Sequence, residues 1–370
     1  MAKLLSHYVT SRDNNFNLIR FLAATLVLYS HSFALAKTMY PEPLAHLVNI
    51  TLGNVAVDIF FVTSGFLIAK SFFERQNLLA FIWARILRIY PALIVAVLFC
   101  TLIVGAIFTS YNLIAYFSDS QTYEYIAKNS SLISGVVFVL PGVFVDNHYK
   151  DAVNGSLWTL PYEIKMYALL VLMGLIFFQI QRFFKKSLLK PLFLFATLSA
   201  IFWNLFNYFQ NDISFSIRFF ASFFSGVSFY LYRDQIILSF RLFLALSIIV
   251  FLSAVHVKIF FFVYSFCLPY LLLYLAYVPS GPIRSFNKIG DYSYGIYIYA
   301  FPVQQSIAAM IPHVTVSGMV ILSFVITFAL AFLSWHKIEK KCLKMKGLPV
   351  LFEEKALHLR SIIATIFTKN

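Results

Sequence analysis

Arg20 and His31 lie eleven positions apart inside one apolar stretch of the chain. At about 100° per residue, eleven steps end roughly 20° from a whole number of turns, so a helix carries both on one side, about 16 Å apart along its axis. A guanidinium grips phosphate through paired N–H donors. An imidazole titrates closest to neutrality and suits proton transfer or nucleophilic attack. Two carboxylates, Asp58 and Glu163, stand in other apolar stretches. Counted from the outer ends of their helices, with Trp158 as an interface aromatic and Pro161 in a first helical turn, both reach the depth of His31. Arg85 and Arg88, three apart on one helical face just before Tyr90-Pro91, join Arg20 at the opposite end.

This layout expects phosphate at the arginine end and acid–base chemistry about 16 Å deeper. Coenzyme A has that shape, with phosphates at one end and a thioester at the tip of a long arm. Each residue also has a plainer reading. Arg85 and Arg88 could serve topology and lipid headgroups, His31 could bond a neighbouring carbonyl, and Asp58 could pair with a buried base. Lys165, two residues after Glu163, faces away from it and snorkels to the interface.

The elements that must hold these groups are membrane helices. The chain of 370 residues is 61% hydrophobic and only 12% charged, against roughly 45–50% and about 25% in soluble domains. Runs of about 20 apolar residues, enough to cross about 30 Å of hydrocarbon, fall near 16–36, 52–72, 90–110, 158–179, 191–209, 214–232, 236–253, 258–278, 290–311 and 315–335. Lipid offers no hydrogen bonds to a backbone, so helices are expected throughout. The reading is an all-α integral membrane protein of about ten transmembrane helices. One membrane domain covers 1–336, with an outer loop at 110–157, and 337–370 forms a cytoplasmic tail whose amphipathic part, Leu351–Phe367, lies on the inner leaflet.

Basic residues set the orientation. Arg12, Arg75, Arg85, Arg88, Arg182, Lys185, Lys186, Lys190, Arg233, Arg284, Lys288 and the lysines from Lys337 to Lys346 fall on one side; Lys37, Lys128, Lys150, Arg218 and Lys258 fall on the other. The positive-inside rule then puts both termini in the cytoplasm. The net charge of +14 is a topology signal, not a nucleic-acid footprint, which would gather on a soluble face. Ala34-Leu35-Ala36 resembles a signal-peptide cleavage site, but Arg20 and His31 interrupt the apolar region before it. Cys100, Cys267 and Cys342 suggest no disulfide framework. No internal repeat of the kind found in inverted-repeat transporters is visible.

The motifs together resemble the bacterial acyltransferase family three. They are Asn17-Leu18-Ile19-Arg20 with the spacing to His31, Val57-Asp58-Ile59-Phe60-Phe61-Val62-Thr63-Ser64-Gly65-Phe66-Leu67-Ile68, Arg85-Ile86-Leu87-Arg88-Ile89-Tyr90-Pro91, Asn154-Gly155-Ser156-Leu157-Trp158-Thr159-Leu160-Pro161-Tyr162-Glu163, and Gly290-Asp291-Tyr292-Ser293-Tyr294-Gly295-Ile296-Tyr297. The resemblance implies a ten-span bundle moving an acyl group, usually acetyl from acetyl-coenzyme A, onto a sugar hydroxyl outside the cytoplasmic membrane. It makes Arg20 and His31 functionally essential, Arg85 and Arg88 the two-arginine motif, and Glu163 the last residue of a Trp-x4-Glu motif. The chain departs from the pattern twice. Tyr299-Ala300-Phe301-Pro302 lacks the histidine many relatives carry there, and Glu339 is followed by Lys340 where many have proline.

The expected assignment is therefore a membrane O-acyltransferase in the bacterial inner membrane. Arg20, Arg85 and Arg88 bind acyl-coenzyme A, a substrate and not a resident cofactor. His31 serves as base or acyl carrier, oriented by Asp58 or Glu163, and no metal site is assigned. The acceptor is an envelope carbohydrate or lipid-linked sugar, and the remaining partners are membrane lipids. The competing functions are a lipid-linked sugar flippase, which consumes no acyl donor, and a glycan polymerase or ligase, which relies on a large external loop.

Overall fold

The computed structural model describes residues 3–349 except 12, 39, 75, 76 and 213. Ten helices of 14 to 25 residues dominate it. They are α1 (Phe16–Leu35), α2 (Leu52–Glu74), α3 (Leu78–Leu98), α4 (Leu160–Phe184), α5 (Leu189–Phe209), α6 (Phe215–Leu231), α7 (Phe240–Ser253), α8 (Val257–Tyr277), α9 (Ser293–Met310) and α10 (Val316–Ser334). Among the described residues seven helical stretches are long and apolar enough to cross a membrane: α1, α2, α5, α8 and the extended stretches containing α3, α4 and α10. Among the described residues the all-α reading holds apart from a two-residue ladder pairing Lys3 with Leu238 and Leu4 with Ile237 and an isolated bridge between Thr109 and Val143. Leu351–Phe367 lies outside the described residues, as do Arg12 and Arg75.

Three helix starts are fixed by side-chain caps. Asn77 accepts from the amide of Ala80 at α3, Thr315 from Gly318 at α10 and Ser239 from Leu242 at α7, each satisfying an orphan amide of the first turn. α3 begins twelve residues before the expected position 90, because Pro91 sits inside the helix and not at its start. Arg85 and Arg88 are thereby helical residues with regular neighbours. Beyond Leu98 the chain continues as a π-helical stretch, Phe99–Gly105, to Phe108. There the Tyr116 hydroxyl donates to the Thr101 carbonyl at 2.9 Å and lies over Gly105, where a Cβ would come within 2.0 Å of it. The segment that follows is thus tied onto the end of α3.

The helices divide into outer and inner ones. Phe195, Phe202, Trp203 and Phe206 of α5, much of α7, and Ile321 and Val325 of α10 project outward, an apolar face that suits lipid. α9 is the opposite: its residues from Ser293 through Gln305 are buried. Shielded from lipid by α1 and α10, it tolerates polar side chains that bond across helices. Gln304 donates to the Leu28 carbonyl and Ser32 hydroxyl of α1, both at 2.8 Å. Gln305 donates to the Tyr149 and Ala152 carbonyls and so pins the segment that leads into α4.

α2 and α6 meet backbone to backbone. A Cβ on Gly65 would stand 1.8 Å from the Phe223 carbonyl oxygen, and one on Gly226 would stand 2.1 Å from that of Val62. Small residues permit this approach, and van der Waals contact rather than hydrophobic burial drives helix association in lipid. Gly226→Ala is therefore expected to cost about 1–3 kcal/mol by overpacking. A thermal-unfolding series in detergent checks this, with Gly347→Ala, whose Cβ meets nothing within 4 Å, remaining near wild type.

Candidate active site

The arginine end is a cluster of opposed charges on α1, α3 and the segments flanking α9 and α10. Asp291 Oδ2 accepts from Arg88 Nη2 at 2.6 Å and from Arg20 Nη1 at 3.3 Å. Its Oδ1 accepts from the Ser293 hydroxyl at 2.5 Å and from the Ser293 amide at the start of α9. Gly290 makes this turn possible: its φ is +152°, and a Cβ would lie 2.5 Å from Trp335 Nε1. Arg88 Nη1 donates to Glu339 Oε2 at 3.3 Å, and Ser334 donates to Glu339 Oε1 at 2.9 Å. Glu339 itself ends a π-helical stretch, Trp335–Glu339, continuing α10.

Arg88 was expected as a phosphate clamp. Both of its terminal nitrogens are instead held by carboxylates, and its guanidinium lies 5.6 Å from the centre of the Tyr294 ring. It ties α3 to the starts and ends of its neighbours. Arg20 keeps a buried Nε without a hydrogen-bond partner among the described residues. Arg85 packs its guanidinium over Phe81.

Glu163 does not stand at the level of His31. It accepts a hydrogen bond from the Tyr167 hydroxyl and lines a narrow cavity of about 40 Å³ with Arg20, Phe60, Ser64, Thr159 and Tyr294. The reason lies before α4. Asn154 is fully buried and donates to the Ile298 carbonyl, and Gly155–Thr159 is a 3-10 turn. The chain has already entered the bundle when α4 begins, so counting down from Trp158 as an interface residue places Glu163 too shallow. Trp158 packs on Tyr162, Phe215 and Phe219.

His31 lines a second, wider cavity of about 580 Å³ with Ser30, Glu42, Thr51, Asn54, Trp158 and Tyr297. Its ring stands edge-on to Phe301 at 5.2 Å between centroids. Nδ1 is buried and has no hydrogen-bond partner among the described residues. Thus neither Asp58 nor Glu163 orients it in this state. The carboxylate that shares its cavity is Glu42, which accepts from Ser30 at 2.6 Å and caps the Leu52 amide at the start of α2. Glu42 escaped the sequence reading because it lies in a polar connection, where a carboxylate is unremarkable.

Asp58 opens on neither cavity. One residue beyond Val57 and about 100° further round α2, it faces α6 and α8. Arg218 Nη2 and Nε donate to its two oxygens at 2.7 and 3.1 Å, Tyr264 donates at 2.9 Å and Ser222 at 3.3 Å. This is the buried-base pairing that was the plainer reading of Asp58. The signal was present: Arg218 itself falls within an apolar run and demands a partner.

The two cavities meet. Val57 and Tyr297 line both, so the space holding Arg20 and Glu163 abuts the space holding His31 across one valine and one tyrosine. Such a pair of chambers suits group transfer between reactants that arrive from opposite ends of a helical bundle.

Comparison with known proteins agrees with this architecture. A family model described as an acyltransferase domain matches residues 13–336, and the chain belongs to that acyltransferase family. It is 30% identical over 348 residues to an O-acetyl transferase of Shigella phage Sf6, covering 90% of this chain and 96% of that protein. It is 28% identical over 165 residues, 44% of each chain, to nodulation protein 10 of Rhizobium leguminosarum bv. viciae. No solved structure matches. The protein is accordingly an acyltransferase whose helices are long and apolar enough to cross a membrane.

Proposed function

We propose that the protein transfers an acyl group, acetyl by preference, from acyl-coenzyme A on the cytoplasmic side to a hydroxyl of an envelope glycan or lipid-linked sugar outside the bacterial inner membrane. The observation that carries this reading is the pair of chambers meeting at Val57 and Tyr297, arginine-lined on one side and histidine-lined on the other. The asymmetry of basic residues supports taking α1 to α10 as ten crossings with both ends in the cytoplasm. That orientation puts the Arg20 chamber inside and the His31 chamber outside.

In this scheme Arg20 and Arg85 face the donor's phosphates, while Arg88, held by Asp291 and Glu339, positions them. His31 takes the hydroxyl proton as the sugar oxygen attacks the thioester carbonyl. The tetrahedral intermediate collapses, the C–S bond breaks, and the departing thiolate receives a proton. The acyl-carrier alternative has His31 attack the thioester first and pass the acyl group on.

The experiment is acetyl transfer from labelled acetyl-coenzyme A by the purified, reconstituted protein given envelope saccharide extract. Donor consumption coupled to acceptor labelling is expected; a flippase would translocate sugar without it. Arg20→Ala should raise the donor KM about tenfold or more with a smaller effect on kcat, since a charge-assisted contact is worth roughly 1.5–3 kcal/mol. An unchanged KM would remove Arg20 from the donor site.

A further inference from the structure

The wall shared by the two chambers holds Val57 and Tyr297, the residues that line both. On one side it is Val57 of α2, 9% exposed; on the other it is Tyr297 of α9, 7% exposed. Tyr297 is held in place. Its hydroxyl and that of Thr159 share a hydrogen bond of 2.5 Å, and its ring stands edge-on to Phe60 at 5.8 Å. Val57 lies on α2, whose backbone packs directly on that of α6 at Gly65 and Gly226. The lining on the Arg20 side of this wall is largely apolar, with Phe60, Phe61 and Leu160 beside Val57, and the space there is only about 40 Å³. The His31 side is more than ten times larger.

We propose that Val57 and Tyr297 form a selectivity neck through which the acyl end of the donor must pass to reach His31, and that their spacing limits the transferred group to short acyl chains. The proposal rests on the reading that the acyl group travels from the Arg20 chamber to the His31 chamber. Its physical basis is steric. Interiors are close-packed, and an extra methylene forced into a well-filled site costs about 1–3 kcal/mol. In an apolar pocket one methylene therefore changes selectivity by roughly 10–200-fold. The hydrogen bond to Thr159 matters because a tyrosine free to swing would not define a width. Neither residue is charged or nucleophilic, so their role is selection of the acyl group and not chemistry on it.

The test compares release of coenzyme A thiol from acetyl- and butyryl-coenzyme A by the reconstituted protein with envelope saccharide extract as acceptor. Wild type should prefer acetyl by tenfold or more in kcat/KM. Val57→Ala, which removes two methyl groups from the neck, should raise the butyryl-to-acetyl ratio at least tenfold. Tyr297→Phe, which frees the ring from Thr159 at nearly constant volume, should raise the ratio by a smaller factor and supplies a second reading if the alanine variant folds poorly. Val57→Leu should slow acetyl transfer with the dissociation constant for acetyl-coenzyme A unchanged. Ratios within twofold of wild type in the Val57→Ala and Tyr297→Phe variants, with acetyl transfer intact, overturn the neck and leave the acyltransferase reading standing. A wild type that consumes neither donor overturns the path on which both depend.

Discussion

Replacing His31 with glutamine is expected to lower acyl transfer by about 10²–10⁴-fold, the range over which a positioned general base acts. Glutamine keeps a hydrogen-bonding end of similar reach but can neither take up a proton at neutral pH nor carry an acyl group. The loss should fall on kcat. His31 lies in the wide chamber, and the donor's phosphates are assigned to the narrow one beyond Val57 and Tyr297, so binding of acetyl-coenzyme A to His31→Gln, measured by calorimetry, should stay close to wild type. Near-normal acetylation by this variant would remove His31 from the chemistry altogether. Acyl label on the wild-type protein in the absence of acceptor, lost with hydroxylamine, would favour the carrier route over the general base.

Much of this architecture is legible in the amino-acid sequence because lipid imposes a simple rule. About 20 apolar residues make one crossing, and the apolar runs at 16–36, 52–72 and 191–209 become α1, α2 and α5 with no end shifted by more than two residues. The side on which Arg20 and His31 sit along α1 follows from helical periodicity alone. What periodicity does not carry is the rotation of one helix against another. Asp58 turns to Arg218 and not to His31, a matter of which face of α2 meets α6. Depth fails where the chain enters the bundle before its helix begins, and Glu163 lands in the arginine chamber for that reason. Asp291 was in view as part of a motif, but its grip on two arginines depends on a glycine turn under Trp335. Glu339 needed a π-helical stretch to bring it to Arg88.

The Asp58–Arg218 pair separates scaffold from chemistry by experiment. Both residues are buried, 2% and 6% exposed, and they bond in bidentate fashion. Removing Asp58 alone strands a guanidinium inside the bundle with no carboxylate partner among the described residues. Asp58→Leu is expected to destabilise by about 3–5 kcal/mol, the cost of leaving one partner of a buried pair uncompensated. In membranes this should appear as a collapse in the yield of monodisperse protein. Replacing both, Asp58→Leu with Arg218→Met, removes the charges together. Apolar substitution of a whole buried pair is often neutral or stabilising by about 1–4 kcal/mol, so the double variant should regain folded yield and melting temperature. Transfer decides the rest. The pair lines neither the Arg20 chamber nor the His31 chamber, and the glycine contact holds α2 against α6 independently. Acetyl transfer by the double variant should therefore recover to within a few-fold of wild type. A well-folded double variant that transfers nothing would return Asp58 to the catalytic group from which its hydrogen bonds remove it.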